Sequence, residues 1–414
     1  MESDEEYGVS LLRPLDREPA GPPAIDVARA IAAGRRRRFA LGLAGSAAAV
    51  VAVGLVVGGS ALVVRHDHTP APLAGAPARA GSSGPSTPAA APAPNSCTIA
   101  RLPMPAGQGT ESVATGGDPS GRYVFGRSYP TGDDNHPLII WDNGQPHTVA
   151  MSGTDQNFTD MNSAGEAIGN SFGSSGEMSW AYQNGRLTRL AGSNSEVLGI
   201  NERGVIVGSV DEKPAMWSSA SAQPTMLVVP AGGTGSATGI DEDGTIVGRV
   251  QGAPGTPALG YEWSADGTGK ELPAPTVNGK PVNGYFASAI RDGWVIGMGD
   301  LSGAPAAGGN NSGAKAPAYG DLIRWNLTTG KIDVTKPQGL AVSVNAQGWI
   351  AGDTDKGKHA GLLADGKELA LPNLAGAPDQ IANIAYVISD DGSTLAGQAV
   401  APNGEQEAAV WHCH

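Results

Sequence analysis

Short apolar segments separated by turns rich in Gly, Asn and Asp recur along the C-terminal three quarters of this chain. One pattern, an Asn or Asp close to a Gly and then a short apolar strand with a second Gly, occurs seven times. The copies read DPSGRYVFG, NSAGEAIG, NERGVIVG, DEDGTIVG, RDGWVIG, NAQGWIAG and SDDGSTLAG, and their first glycines are Gly121, Gly165, Gly204, Gly244, Gly293, Gly348 and Gly392. Their spacing of roughly 40 to 55 residues is typical of one four-stranded propeller blade.

Each copy predicts a hairpin followed by two further strands. A Gly after Asn or Asp lets a turn end in a left-handed residue, which closes a hairpin between two apolar strands. The second Gly predicts a point where two backbones approach closely. A strand with an aromatic residue follows in every copy except the sixth, and then a fourth strand that commonly ends near Pro. The chain is therefore predicted to be all-β, with a seven-bladed β-propeller of four-stranded blades over residues 97–414.

The two ends of this region predict how the ring closes. The last copy reaches His414 directly after its third strand, whereas CTIARLPMP at 97–105 has the pattern of a fourth strand but precedes the first copy. We therefore expect the N-terminal strand to complete the last blade, which removes an open sheet edge. In such an antiparallel pair Cys97 lies beside Cys413, so the sequence predicts a disulfide between them.

A long apolar run at 39–64 predicts one transmembrane helix, because about 20 apolar residues cross a bilayer core. Arg35, Arg36, Arg37 and Arg38 directly precede it and predict a cytoplasmic N-terminus, with the propeller outside the cell membrane. A cleaved signal peptide is the alternative, although its apolar core is usually shorter. Residues 1–38 are predicted to be a mostly disordered leader with a short helix, and the Pro- and Ala-rich stretch at 65–96 an extracellular linker.

Composition narrows the function classes. A formal net charge of −13 argues against a nucleic-acid-binding body, since phosphate recognition needs a basic face. Two cysteines are too few for a disulfide-rich scaffold. Neither a zinc-protease helix motif nor a nucleophile-elbow motif occurs, so no catalytic residue, metal or cofactor is predicted.

Binding surfaces are the better candidates. Propellers commonly use the loops between second and third strands, and here these loops vary in length and composition. Asp133, Asp134 and His136 lie in the first of them. Trp294 and Trp349 occupy equivalent places in adjacent blades and are candidates for stacking on a sugar or another flat ligand. The alternative for the two tryptophans is packing between blades.

The pattern Ile-Asn-x-x-Gly-x-Ile-Val-Gly, clearest at 200–208 and 240–248 and followed by a strand with Trp, resembles the HAF-type extracellular repeats of bacterial secreted and membrane-anchored proteins. The resemblance covers about 97–414 and implies an extracytoplasmic propeller. The His-Ala-Phe triplet of that family is replaced here by sequences such as PAMW and LIRW. The leader, Arg run and single span are similar to those of actinobacterial membrane proteins, some encoded beside sigma factors.

Three functions follow as hypotheses. The first is a noncatalytic binding, scaffold or sensor domain outside the membrane, with an extracellular protein or a cell-envelope glycan as partner. The second is an extracellular carbohydrate-active enzyme, which requires a converging pair of carboxyl groups. The third is a membrane regulator whose leader binds a cytosolic partner such as a sigma factor.

Overall fold

The computed structural model describes residues 92–130, 136–174, 176–253, 256–277, 279–282, 284–299, 321–335, 341–354, 357–379 and 382–414. The predicted leader and membrane helix, and all of the predicted linker before residue 92, lie outside these ranges. Within them, no helix is long and apolar enough to cross a membrane.

The described part of the chain forms seven four-stranded antiparallel sheets. The first strand, β1 (Cys97–Arg101), belongs to the last blade, and the following strands fill the blades in chain order. Blades 1 to 3 contain β2 (Ser112–Gly117), β3 (Tyr123–Ser128), β4 (Leu138–Asp142), β5 (Gln145–Val149); β6 (Thr154–Met161), β7 (Ala167–Gly173), β8 (Gly176–Gln183), β9 (Arg186–Arg189); β10 (Ser195–Ile200), β11 (Ile206–Val210), β12 (Lys213–Trp217) and β13 (Thr225–Met226).

The remaining blades follow in the same way, with a two-stranded hairpin inserted after blade 4. They contain β14 (Thr234–Ile240), β15 (Ile246–Gln251), β16 (Ala258–Trp263), β17 (Gly269–Glu271); the hairpin β18 (Thr276–Val277) and β19 (Lys280–Pro281); β20 (Tyr285–Arg291), β21 (Trp294–Gly299), β22 (Asp321–Asn326), β23 (Lys331–Thr335); β24 (Ala341–Val344), β25 (Ile350–Thr354), β26 (His359–Ala364), β27 (Lys367–Ala370); and β28 (Ile384–Ile388), β29 (Thr394–Val400) and β30 (Gln406–Cys413).

The first strand of each sheet is innermost, and the sheets form a closed ring. Each innermost strand contacts a strand of the next blade, and β2 of blade 1 contacts β28, β29 and β30 of blade 7. The predicted seven-bladed propeller is confirmed. Its blades expose two ends, which we call the turn face, with the turns after first and third strands, and the loop face, with the loops after second and fourth strands.

The predicted closure is also confirmed. β1 pairs antiparallel with β30, and Cys97 lies opposite Cys413 in the register. The two cysteines form a disulfide across a sequence separation of 316 residues. The N-terminal strand therefore supplies the fourth strand of blade 7.

The glycines of the repeat have two separate structural roles. All seven repeat-turn glycines have φ between 71° and 93°, the left-handed region that the hairpin turn requires. The second glycines lie opposite a β-bulge in the innermost strand. A Cβ atom on Gly208, for example, would lie 1.9 Å from the carbonyl oxygen of Glu196. The close backbone approach predicted for the second Gly is thus confirmed.

Tryptophans of the third strands join consecutive blades. Five of them are at most 1% exposed, and each indole N–H donates a hydrogen bond of 2.6 to 2.9 Å to a carbonyl just after the fourth strand of the preceding blade. The pairs are Trp141 with Pro103, Trp217 with Ala191, Trp263 with Val228, Trp325 with Pro273, and Trp411 with Pro372. We call the packed space between two consecutive blades a joint.

Candidate functional site

The charged groups at the centre of the turn face connect different blades to each other. Glu202 of blade 3 accepts the backbone N–H and the hydroxyl of Ser163 in blade 2. Glu242 of blade 4 accepts the N–H of Glu202 at 3.1 Å. Arg291 of blade 5 then donates to Glu242 at 2.7 Å and to Asp390 of blade 7 at 2.6 Å. These side chains are therefore engaged in holding the ring together.

Arg291 is the centre of this arrangement. Burial favours the uncharged form of its guanidinium and so lowers the pKa. The hydrogen bonds and ion pairs with Asp390 and Glu242 outweigh that effect, and the pKa of the guanidinium is raised. Its side chain is 19% exposed. Asp390 also accepts the N–H of Ala346, so that one carboxylate links blades 5, 6 and 7.

The Asn and Asp that begin the repeat turns have the same linking role. Asn162 donates its side-chain N–H to the carbonyl of Asn201, and Asn201 does the same to Asp241. The carboxylate of Asp241 instead accepts the backbone N–H groups of Asp292 and Gly293. The repeat turns thus carry blade-to-blade hydrogen bonds, which explains why acidic residues occur there without any need for a metal.

Trp294 and Trp349 also lie at the turn face, in joints. A Cβ atom on Gly348 would lie 2.5 Å from the indole ring of Trp294, and one on Gly392 would lie 2.4 Å from that of Trp349. Trp349 is only 2% exposed. The guanidinium of Arg324 covers the ring of Trp294 at 4.9 Å. The structure therefore places both tryptophans against the turn glycine of the next blade, and a role in ligand binding stays a prediction.

The loop face differs from the turn face in its side chains, and one position of the repeat shows this difference. The residue directly after the second Gly of each copy lies at the loop end of the second strand, beside the innermost strand. These seven residues are Arg127, Asn170, Ser209, Arg249, Met298, Asp353 and Gln398. Six of the seven are polar, whereas the residues that precede this Gly are mostly apolar. This position was missed by the sequence reasoning, although alignment of the seven copies on the second Gly would have shown it.

Blades 6, 7 and 1 bring several of these polar groups together. Tyr386 lies at the β-bulge of the innermost strand in blade 7, and its hydroxyl donates to Gln398 at 3.5 Å. The pKa of Tyr386 is raised to about 12, mainly by burial and to a lesser extent by the nearby Tyr129 and Asp353, while Arg127 has the opposite effect. Tyr386 therefore stays protonated at neutral pH and remains a hydrogen-bond donor.

Arg127 is the cationic group of this arrangement. Its guanidinium lies 5.6 Å from the ring centre of Tyr129, and that ring lies 4.8 Å from the imidazole of His136. The Nε atom of Arg127 is buried and has no hydrogen-bond partner. In the described ranges, no ion pair of Arg127 with a carboxylate occurs, in contrast to Arg291. We call Arg127, Tyr129, His136, Asp353, Tyr386 and Gln398 the loop-face cluster.

The opposite wall of the ring carries a second, more enclosed polar group. Burial raises the pKa of Glu196 in blade 3, and the nearby Arg249 of blade 4 opposes that shift. Arg249 donates its Nε–H to the hydroxyl of Ser236 at 3.3 Å. Arg249 therefore lies near a carboxylate and donates to a hydroxyl, whereas Arg127 has no carboxylate partner among the described residues.

Among the residues predicted from the first loop, His136 lies in the loop-face cluster. Asp133 and Asp134 lie outside the described residues. The cluster offers a guanidinium, two phenols, an imidazole and an amide beside the carboxylate of Asp353, a set that can hydrogen-bond an anionic or hydroxyl-rich group.

No protein-family model matches the chain, and no curated protein is similar to it in sequence. Solved structures are similar in fold. A puromycin hydrolase mutant is 14% identical with a TM-score of 0.42, over 73% of this chain and 53% of that one, so the chain spans about half of the hydrolase. The WD40 repeats of RRP9 are 12% identical with a TM-score of 0.47, over 78% and 100%. YCF48 bound to the D1 peptide is 13% identical with a TM-score of 0.45, over 78% and 100%. Similarity at this level is similarity of fold and says nothing about function.

Proposed function

We propose that this chain is a noncatalytic binding protein, anchored in the cell membrane by residues 39–64, whose propeller recognises an extracytoplasmic partner through the loop-face cluster. The observation that carries the proposal is the Arg127 guanidinium, which lies beside the Tyr129 ring and has no carboxylate partner among the described residues. Charged groups on the turn face, by contrast, already bind one another across blades.

The chemistry of the cluster favours a partner that presents a carboxylate. A guanidinium matches a carboxylate with two parallel hydrogen bonds, and a protonated phenol donates a further one. We therefore propose an acidic segment of an extracytoplasmic protein as the partner. The Cys97–Cys413 disulfide supports this location, because such bonds persist in oxidising compartments.

Affinity purification from solubilised membranes tests the proposal. Full-length wild-type chain is compared with Arg127→Ala and with Arg122→Ala, which removes an exposed Arg of the same blade at the turn face, paired there with Asp142. We expect wild type and Arg122→Ala to recover the same envelope protein and Arg127→Ala to lose it. Equal recovery by all three variants would contradict the proposed site, and recovery of glycan instead of protein would identify the other partner class.

A fourth sample separates the signalling hypothesis from the binding hypothesis. A chain without residues 1–34 keeps the predicted Arg run, the predicted span and the propeller. If the leader binds a cytosolic protein, that protein is lost from this sample while envelope partners remain. If the leader only precedes the anchor, both samples recover the same set.

A further inference from the structure

Six of the seven joints are filled in the same way. An aliphatic residue at the end of the fourth strand of one blade packs in one core cluster with an aromatic residue from the third strand of the next. The pairs are Val149 with Tyr182, Leu190 with Trp217, Leu227 with Trp263, Leu272 with Trp325, Leu371 with Trp411, and Leu102 with Trp141.

The joint between blades 5 and 6 departs from this pattern at both positions. In blade 6, Leu363 pairs with Ile350 in the register position where Trp263 pairs with Ile246 in blade 4. In blade 5, Thr335 at the end of the fourth strand pairs with Leu322. At this position every other blade has its buried aliphatic residue. The third-strand aromatic ring and the fourth-strand aliphatic side chain are therefore both missing from this joint, although Trp294 of the second strand in blade 5 packs in the same cluster as Leu363.

A cavity occupies the space that these two departures leave. Its volume is about 120 Å³, and its lining includes Leu322, Thr335, Ala341, Ile350, Leu362 and Leu363. Both departing residues thus line it. Thr335 and Glu368, which also lines the cavity, are exposed, so the space reaches the surface of the ring. Most of the wall is aliphatic, which makes the cavity a poor place for ordered water.

We propose that this joint binds a planar aromatic ring of about the size of indole. The other joints show what this architecture accepts at the equivalent place, since five of them hold an indole and one a phenol. An aliphatic cavity of roughly 150 Å³ in another protein binds benzene. The space in this joint is smaller, about 120 Å³, but it reaches the surface, so a ring enters it edge first and keeps its other edge in solvent. Asp353 of the loop-face cluster also lines this cavity, but the argument rests on the joint alone and does not depend on the Arg127 guanidinium or on the proposed partner.

Differential scanning calorimetry of the full-length chain in detergent, with and without indole, tests this site. Indole is expected to raise the Tm of wild type by about 2 °C for each tenfold excess over its dissociation constant. Leu363→Trp is expected to raise the Tm without ligand and to abolish the response to indole. Leu363→Phe provides the same test with a smaller ring if the tryptophan variant does not fold.

Two further variants serve as controls. Lys367→Trp adds an exposed indole to the same blade without filling the joint and should keep the wild-type response. Trp325→Leu empties the joint between blades 4 and 5 and should increase the response. An indole response by Trp325→Leu but not by wild type would overturn the proposal, as would an unchanged response in folded Leu363→Trp. N-acetyltryptophanamide in place of indole shows whether the joint also admits a side chain of a partner.

Discussion

Reduction of the Cys97–Cys413 disulfide measures how strongly the ring depends on its covalent closure. The bond spans 316 residues, and loop-closure entropy for a loop of this length stabilises the folded state by about 5 to 6 kcal/mol. Native strain and residual structure in the unfolded chain usually reduce that effect. We therefore expect reduction to lower the free energy of unfolding by about 3 to 5 kcal/mol, a large part of the stability of an ordinary domain.

The non-covalent contacts of the N-terminal strand determine which blade unfolds first after reduction of the disulfide. Five residue pairs join β1 to β30, and Asn95 and His414 add hydrogen bonds beyond the strand. These contacts should keep the reduced ring folded at low denaturant, while blade 7 opens first as urea increases.

Urea unfolding followed by circular dichroism, with and without a reductant, gives the magnitude. The Cys97→Ala/Cys413→Ala double variant should match the reduced wild type and should not respond to reductant, which controls for effects of the reagent. If reduction changes the free energy of unfolding by less than about 1 kcal/mol, the chain-entropy argument fails for this ring. The pairing of β1 with β30 would then be sufficient for closure.

Three further perturbations test other parts of the ring by urea unfolding. Gly208→Ala places a Cβ 1.9 Å from a backbone carbonyl oxygen and should cost more than about 2 kcal/mol, whereas Gly252→Ala, with its nearest atom at 3.6 Å, should change stability by less than about 0.5 kcal/mol. Arg291→Gln leaves two carboxylates unpaired and should cost about 1 to 3 kcal/mol, whereas the exposed pair lost in Arg122→Gln should cost under about 1 kcal/mol. Burial raises the pKa of Asp160 to about 7, so the folded chain holds a proton that the unfolded chain releases above about pH 4. The stability from that proton is complete below pH 4 and is lost as the pH rises to 7. Asp160→Asn should remove this decline, and identical pH slopes in both proteins would contradict the assignment.

The fold was predictable because each blade repeats the same local chemistry. A turn that needs a left-handed residue selects Gly at one place, and a bulge that leaves no room for Cβ selects it at another, so Gly204 and Gly208 mark one blade in the sequence. The position of Cys413 after a third strand and of Cys97 in an unassigned fourth strand predicted the closure.

The candidate site was less predictable because it depends on contacts between different blades. Arg291 and Asp390 lie 99 positions apart, and no local pattern pairs them. A Trp after the repeat turn, such as Trp349, has the same sequence signal whether it stacks on a ligand or on the turn glycine of the next blade. The contact of Trp349 with Gly392 follows from the packing of one blade on the next and has no signal of its own in the sequence.

The two faces differ in what their side chains bind, and this difference indicates on which face a binding site is expected. On the turn face, repeated Asn and Asp residues bond one blade to the next, so a substitution there alters the stability of the ring. At the equivalent positions of the loop face, the residues after the second Gly differ from blade to blade while the strands that carry them stay the same. Variation on a constant scaffold is typical of binding surfaces. Exchanging Arg127 should therefore change what the ring binds and leave its unfolding nearly unchanged, because its buried Nε atom has no partner and, within the described ranges, no hydrogen bond joins that guanidinium to another blade.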